Sequence, residues 1–190
     1  MPRVRQIIGT RLYLTPPLEE DAVAWATWLS DLHVAIPLDD AAYLPVSTES
    51  QRELILKPRV DCRLFTIMLA VGERPIGRGM LFNLDLINRT GELKLFIGDT
   101  NYWGHELGCE AIQLLLDYAF NLLNLNSVMG SAYAYNEPAI ECFHRVGFRD
   151  IGRRRASRLI AGRAYDRVWM DILASEFESP YITHLMAEDA

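Results

Sequence analysis

The sequence predicts an α+β fold in which helices flank a mainly antiparallel central sheet. Three segments in the middle of the chain have the composition of strands and are joined by short turns; they span 65–71, 76–86 and 92–97. Such short connections favour an antiparallel meander, because parallel strands need a crossover of a dozen or more residues. A long amphipathic helix, a strand, a capped helix and a hairpin follow the meander, which is typical of the α+β class.

The elements before the meander are a short strand and two helices. Residues 11–15 alternate between polar and apolar side chains, and Pro16 ends this strand. Helices are predicted over 21–29, where large apolar residues recur, and over 48–57, which has a Ser/Thr cap. The stretch between them, from Asp31 to Ser50, is irregular and acidic. We expect it to be a surface segment.

The elements after the meander begin with the strongest helix pattern. From Gly108 to Leu123, apolar residues recur at helical spacing and form one broad face. Residues 127–133 have the pattern of a strand. The next helix begins at the cap Asn136 with a proline in its first turn and ends at Gly147. The last predicted elements are the hairpin strands near 154–160 and 165–173.

Composition and charge restrict the function classes. Hydrophobic residues make up 50% of the 190 residues, which excludes an intrinsically disordered chain. The net charge of −6 and the absence of a basic stripe argue against a nucleic-acid partner, whose affinity depends on neutralised phosphates. No segment has the roughly 20 uninterrupted apolar residues of a membrane helix, and the N-terminus lacks the apolar run of a signal peptide. We therefore expect a cytoplasmic protein without a nucleic-acid or membrane partner.

The cysteines do not form a familiar pattern. Cys62, Cys109 and Cys142 are odd in number and widely spaced, unlike a disulfide framework or a Cys-x-x-Cys metal site. The four histidines add no metal-ligand spacing. We therefore expect reduced cysteines and no metal.

The chain is expected to form one domain. No repeat, low-complexity stretch or linker divides residues 1–176, and a tail over 177–190 follows them. This tail is expected either to dock on a partner subunit, which would give a homodimer, or to fray. Its apolar residues are Tyr181, Ile182, Leu185 and Met186.

The most informative stretch leads from the strand ending at Ile97 through a loop with Gly104 and Gly108 into the longest helix. Free N–H groups and the positive end of the helix dipole at such a helix start can bind phosphate. Glycine lets a phosphate approach the backbone closely. The Gly-x-x-x-Gly spacing matches neither the dinucleotide fingerprint nor the P-loop. On its own, this loop is either a phosphate site or an ordinary helix start.

Four ordered motifs follow the meander. The chain has GHELGCEA at 104–111, similar to G-K-G-Y-G/A-x-E-A, and YAFNLLNL at 118–125, similar to Y-A-F-x-x-L-x-L. NEPA with RVGF at 136–148 is similar to N-x-x-A…K-x-G-F, and 162–170 is similar to G-x-x-x-D…M. Together with the order of the elements, these motifs resemble the GNAT superfamily of acyl-CoA-dependent N-acyltransferases, and the likeness is closest to its ribosomal-protein alanine and spermidine (diamine) acetyltransferase branches. The resemblance implies a GNAT-like fold and an N-acetyltransferase that uses acetyl-CoA as co-substrate.

The resemblance also implies an acetyl-CoA site between splayed central strands. Backbone groups of Leu95, Phe96 and Ile97 would pair with the pantetheine arm like an added strand. Asn136 would lie beside the same arm, although its role as a helix cap competes with this one. The loop residues that would surround the pyrophosphate are Trp103, Gly104, His105, Leu107, Gly108 and Cys109. Phe143 completes the implied set of cofactor-binding residues.

The implied chemistry needs a base for the amine and allows an acid for the thiolate. Glu92 is the candidate base, acting directly or through water, and a solvated strand-end carboxylate is the alternative. Phe143 stands where many family members have a Tyr that acts as the general acid. The candidate acid is therefore Tyr133, with Tyr135 or water as alternatives. Glu106 replaces the second loop glycine. These departures leave a second hypothesis, a GNAT-like module that binds CoA or another ligand with little or no turnover.

The acceptor would be recognised by the segment from Asp31 to Glu53 and by the terminal hairpin. Acidic residues in this segment either attract a cationic amine or only face solvent. The expected acceptors are a polyamine, an aminoglycoside-like amine or a protein N-terminus. The acidic residues are Asp31, Asp39, Asp40 and Glu49.

Overall fold

Eight strands form one sheet in the computed structural model of the chain. The structure describes residues 3–38 and 42–183. The strands are β1 (Ile7–Ile8), β2 (Leu12–Thr15), β3 (Arg63–Leu69), β4 (Pro75–Asp85), β5 (Thr90–Ile97), β6 (Ser127–Tyr133), β7 (Arg149–Ile160) and β8 (Arg163–Leu173). Their order across the sheet is β1-β2-β3-β4-β5-β6-β8-β7. Every neighbouring pair is antiparallel except β5 and β6, which are parallel. The predicted α+β fold with a mainly antiparallel sheet is confirmed.

The helices are α1 (Asp21–Ser30), α2 (Leu32–Ala35), α3 (Thr48–Leu56), α4 (Leu107–Asp117) and α5 (Glu137–Val146). The predicted caps are present: the Asn136 side chain accepts from the Ala139 N–H, and Gly147 ends α5 with a φ of 112°. The predicted long helix differs at its end, because α4 passes into a π-helical turn over Tyr118–Leu122.

Three features were missed by sequence reasoning. β1 has only two residues, and α2 is a single turn within the stretch predicted to be irregular. β7 begins at Arg149, five residues before the predicted start at 154. Most of β7 is exposed on both faces, so it lacks the alternating pattern on which strand prediction depends.

The helices cover opposite faces of the sheet. Phe96 of β5 packs with Leu29 of α1 and Val34 of α2. Its neighbours Leu93 and Leu95 point to the other face and pack in the main core, to which α4 contributes most of its residues. This alternation places β5 between two layers of helices.

Two buried carboxylates fix α4 against the rest of the chain. Glu110, 4% exposed, accepts from the backbone N–H groups of Arg11 and Leu12 and from the Arg11 side chain. Asp117, fully buried, accepts from the backbone N–H groups of Tyr181 and Ile182. The described part of the tail therefore contacts its own chain through the amides of residues 181 and 182, and docking of the tail on a partner subunit stays a prediction. Leu185 and Met186 lie outside the described residues.

Candidate active site

A cavity of about 670 Å³ opens where β5 and β6 separate. Their pairing runs from Thr90 with Ser127 to Glu92 with Met129, although β5 continues to Ile97 and β6 to Tyr133. Parallel strands that part in this way leave their facing backbone edges without strand partners. All of the predicted site residues except His105 line this cavity.

The Gly104 loop, which we define as residues 103–109, presents unpaired backbone donors. Among the residues that the structure describes, none accepts a hydrogen bond from the N–H groups of Gly104 to Gly108. A Cβ on Gly104, whose φ is +76°, would meet nothing within 4 Å, and one on Gly108 would meet only the Cys142 sulfur at 3.9 Å. These donors stand at the start of α4, where the helix dipole is positive. The loop is therefore built to bind an anion.

Glu106 is held in a conformation that favours glycine. It directly precedes α4 with φ 61° and ψ 12°, in the left-handed region. This backbone explains why a glycine suits the position, since a Cβ is disfavoured there. Its carboxylate makes an ion pair with Arg145 of α5, so its negative charge is offset by a neighbouring guanidinium. Both side chains line the cavity.

The edge of β5 is only partly open. Gly98 donates to the carbonyl of Ile76, so the antiparallel alternation directs the backbone of Phe96 toward β4. Leu95 and Ile97 direct their backbone groups toward the cavity instead. The Ile97 carbonyl accepts a 2.8 Å bond from the indole N–H of Trp103. Of the three residues predicted to pair with pantetheine, Leu95 thus has the open edge and Phe96 contributes its side chain.

His105 lies apart from the other predicted site residues. Its carbonyl accepts from the Arg11 guanidinium at 2.9 Å, and its side chain is exposed. Since Arg11 is also bound to Glu110, these contacts tie the loop to the start of β2. His105 offers its backbone N–H to the open set of donors, but its side chain does not line the cavity.

Asn136 and Phe143 reach the cavity from α5. Asn136 is used as a cap, with its side-chain oxygen 3.4 Å from the Ala139 nitrogen. Phe143 is 6% exposed and packs edge-on against Phe148. A Cβ on Gly130 of β6 would lie 2.6 Å from the Phe143 ring, so this glycine allows α5 to approach the sheet.

Glu92 stands at the point where the two strands separate. It is half-buried, and its carboxylate accepts a 2.8 Å hydrogen bond from the Asn83 side-chain amide. This bond orients the carboxylate, which lines the cavity. The role of Glu92 as the general base stays a prediction.

The two candidate acids differ in their surroundings. Tyr133 lines the cavity and is 8% exposed. The Tyr135 ring stacks on that of Tyr133, and its hydroxyl donates to the Ile36 carbonyl at 2.8 Å. Burial raises the pKa of the Tyr135 hydroxyl. Of the two candidates, Tyr133 is thus the one that lines the cavity, and its role as the acid stays a prediction.

The expectation of unpaired cysteines is wrong. Cys109 of the Gly104 loop and Cys142 of α5 form a disulfide with their Cα atoms 5.3 Å apart, within the usual range. The two residues are 33 positions apart in the chain. Their contact arises from the packing of α4 on α5, which spacing in the sequence does not reveal. Cys62 is free.

The two described acids of the segment from Asp31 to Glu53 that were predicted to attract the amine, Asp31 and Glu49, make local contacts at the starts of helices. Asp31 caps α2 by accepting from the His33 N–H at 2.9 Å. Glu49 lies in the first turn of α3, where hydrogen bonds to its own backbone N–H and to Ser47 lower its carboxyl pKa. Asp39 and Asp40 lie outside the described residues.

Sequence reasoning missed the arginines of the site. Arg145 and Arg167 line the cavity, and Arg158 is 3% exposed behind Tyr133, with its guanidinium 4.6 Å from that ring. Of these three arginines, only Arg145 could have been found from the sequence, because it occupies the basic position of the N-x-x-A…K-x-G-F motif.

Comparison with known proteins shows which family has this architecture. Residues 11–149 match the model of the acetyltransferase (GNAT) domain. The uncharacterized N-acetyltransferase p20 of Bacillus licheniformis is 27% identical over 172 residues, which cover 88% of this chain and 95% of that protein. The spermidine N(1)-acetyltransferase of Escherichia coli strain K12 is 24% identical over 167 residues, with coverage of 87% and 82%.

Among solved structures, the spermidine N-acetyltransferase of Vibrio cholerae in complex with CoA and spermine has the same fold. Its TM-score is 0.77 at 23% identity, and the match covers 88% of this chain and 98% of that one. Over the described residues, no helix has the length and apolar character needed to cross a membrane. The family match spans most of the chain and includes the strands and the loop that form the cavity. The chain therefore belongs to the GNAT family of N-acetyltransferases, which use acetyl-CoA.

Proposed function

We propose that this acetyltransferase transfers the acetyl group of acetyl-CoA to a primary amine by direct attack within a ternary complex. The observation that carries the proposal is a single cavity that contains both the open donors of the Gly104 loop and the Glu92 carboxylate. The acceptor classes are a polyamine, an aminoglycoside-like amine and a protein N-terminus.

The residues of the cavity fit the parts of the coenzyme. The N–H groups of Gly104 to Gly108 would bind the pyrophosphate, and Arg145 would add positive charge at the same end. The open backbone edge at Leu95 would pair with the amides of the pantetheine arm. Phe143 and Phe96 would supply apolar contacts along the arm.

In the proposed reaction, Glu92 acts as the base and Tyr133 as the acid, and the lining of one cavity by both residues supports these roles. Glu92 takes a proton from the ammonium form of the acceptor, directly or through a water, and leaves a neutral nucleophilic nitrogen. The nitrogen bonds to the thioester carbon and then loses its second proton to water, and the carbon–sulfur bond breaks to release the amide and the CoA thiolate. Tyr133 or water gives a proton to the thiolate. An acid is helpful without being required, since a thiol with a pKa of about 8.5 is already a fair leaving group.

Two measurements test the proposal. Calorimetry with acetyl-CoA is expected to show binding at one site per chain. Thiol release is then measured with polyamines, aminoglycosides and N-terminal peptides, and at least one class is expected to give turnover above hydrolysis. Binding without turnover across all classes would favour the alternative, a CoA-binding module. That alternative is supported by Phe143, which has no hydroxyl that could act as an acid. Absence of binding would refute both.

A further inference from the structure

The wall of the cavity beside β8 carries a fixed guanidinium. Arg167 lines the cavity, and its Nε donates a 2.8 Å hydrogen bond to the Ser131 hydroxyl. The guanidinium carbon lies 4.7 Å from the Trp169 ring centroid and 5.5 Å from that of Tyr133. Stacking and the Ser131 bond hold the planar group in one orientation, as in sites that bind carboxylates.

A second guanidinium also lies close to the ring of the same tyrosine. Arg158 is 3% exposed and lies 4.6 Å from the Tyr133 ring and 4.9 Å from the Tyr43 ring. It donates to the Tyr43 hydroxyl and to the Leu38 carbonyl. Leu38 and Tyr133 both line the cavity, so Arg158 lies directly behind its wall.

The charge of Arg158 is not matched by a carboxylate in the part of the chain that the structure describes. No ion pair joins it to a described acid, and its buried Nη2 has no hydrogen-bond acceptor there. Burying a cation without a carboxylate is costly, and contact with aromatic rings offsets only part of that cost. Within the described residues, the Tyr133 end of the cavity therefore carries the guanidinium groups of Arg158 and Arg167, of which Arg158 has no carboxylate partner there.

The opposite end of the same sheet face has two carboxylates, of which Glu92 lines the cavity and Asp171 pairs with Arg149 of β7 in the sheet. Glu92 and Asp171 flank Met129, because both residues pair with it in the sheet. Arg167 pairs with Tyr133, four residues further along β6 and on the same face. Met129 and Tyr133, and with them their paired residues, are therefore about 13 Å apart along β6. An extended Arg167 side chain would span about half of that distance.

We propose that the acceptor carries a carboxylate as well as its amine, and that Arg167, supported by Arg158, binds this carboxylate. This inference rests on the proposed function, because it places the amine at Glu92. The acceptor class would then be an amino acid with a distant amine or a peptide with an acidic residue near its N-terminus. A polyamine would instead place a second ammonium among guanidinium groups, where like charges repel.

Three amines of equal chain length test the proposal: aminocaproate, hexylamine and hexamethylenediamine. They end in a carboxylate, a methyl group and an ammonium group, respectively. We expect kcat/KM for aminocaproate to exceed that for hexylamine by about tenfold or more, as for a charge-assisted hydrogen bond, and hexamethylenediamine to be the poorest. Two N-terminal peptides that differ only in Glu or Gln at the second position extend the comparison.

Variants assign the preference to the arginines. Arg167→Gln is expected to bring the ratio of aminocaproate to hexylamine activity close to one, and Arg167→Lys to keep an intermediate ratio. The matched control is Arg163→Gln, which removes the same charge from an exposed position of the same strand and should keep the ratio of the unmodified protein. A ratio within one variant is independent of how much of that variant folds.

The possible results are distinguishable. Turnover that is equal or faster with hexylamine or hexamethylenediamine overturns this inference and leaves the proposed function intact. Absence of turnover with every amine and peptide overturns both. Because Asp39 and Asp40 lie between Leu38 and Tyr43 in the sequence, the same assays use the D39N/D40N variant. A carboxylate preference that is present only in that variant would show that the chain's own acids hold the guanidinium groups, and would overturn the inference.

Discussion

Substitutions at Glu106 separate the charge of the Gly104 loop from its backbone conformation. Glu106→Gln removes the charge and keeps a side chain at φ 61°, whereas Glu106→Gly removes both the charge and the strain. The open amides of Gly104 and Gly108 each lie two residues from Glu106, so we take about 7 Å, the reach of two extended residues, as the separation for this calculation. A diphosphate on these amides would then be repelled by about 1 kcal/mol in a water-like dielectric, and by about 0.5 kcal/mol at physiological salt.

We therefore expect both variants to bind CoA about fivefold more tightly at low salt and about twofold more tightly at physiological salt. The loss of the carboxylate also releases Arg145 toward the phosphates. Arg145→Gln should have the opposite effect. Calorimetry at two salt concentrations measures the change, with Glu178→Gln, an exposed acid at the other end of the chain, as the control.

Stability separates the two substitutions at Glu106. Relief of the left-handed conformation in Glu106→Gly is worth about 1 kcal/mol, and loss of the exposed ion pair costs about 0–1 kcal/mol. Its free energy of unfolding should therefore stay within about 1 kcal/mol of the unmodified protein, while Glu106→Gln should be slightly less stable. Unchanged or weaker CoA binding by Glu106→Gln at low salt would refute the idea that this carboxylate opposes the phosphates.

Three further predictions concern the base, the disulfide and the tail. Glu92→Gln should lower turnover in the thiol-release assay by about a hundredfold or more and leave CoA affinity unchanged in calorimetry, while Glu178→Gln should alter neither; a fully active Glu92→Gln would remove this residue from the mechanism. Reducing the disulfide, which closes a separation of 33 residues, should lower the free energy of unfolding in urea by about 3–4 kcal/mol, and Cys142→Ser should not respond to reductant. Asp117→Ala, which leaves the amides of residues 181 and 182 without their acceptor, should destabilise the chain by about 3 kcal/mol and speed hydrogen exchange in the tail; unchanged exchange would contradict its role as an anchor.

Much of the fold could be predicted because its signals are local. Asn136 and Gly147 delimit α5 through a cap and a left-handed glycine, which depend on neighbouring residues alone. The short turns of the meander likewise require antiparallel neighbours. The π-helical turn at Tyr118–Leu122 and the exposed strand β7 were not predicted, because tertiary packing sets them and their side chains follow no simple period.

The site was predictable where the backbone forms it and unpredictable where distant side chains meet. Glycines before a long helix indicate open amides from the sequence alone. The contacts of the loop with α5 carry no such signal. Glu106 pairs with Arg145, and Cys109 pairs with Cys142. Glu106 and Cys109 are three residues apart in the loop, and their partners Arg145 and Cys142 are three residues apart in α5. This reciprocal spacing reflects one antiparallel packing of the loop and the start of α4 on α5, which becomes visible only once the helices are placed.

The same packing explains how the loop tolerates a residue other than glycine. The array of open donors requires left-handed backbone at Gly104 and at Glu106, and a glutamate there costs about 1 kcal/mol relative to glycine. Its carboxylate also opposes a bound anion, an effect that the exposed ion pair with Arg145 reduces without removing. The pair with Arg145 and the adjacent disulfide both join this segment to α5, so the conformation is fixed from outside the loop rather than by its own sequence. The backbone proposed to bind the pyrophosphate therefore keeps its conformation while its side chains vary, so the departure from the family motif at Glu106 is compatible with the proposed phosphate site.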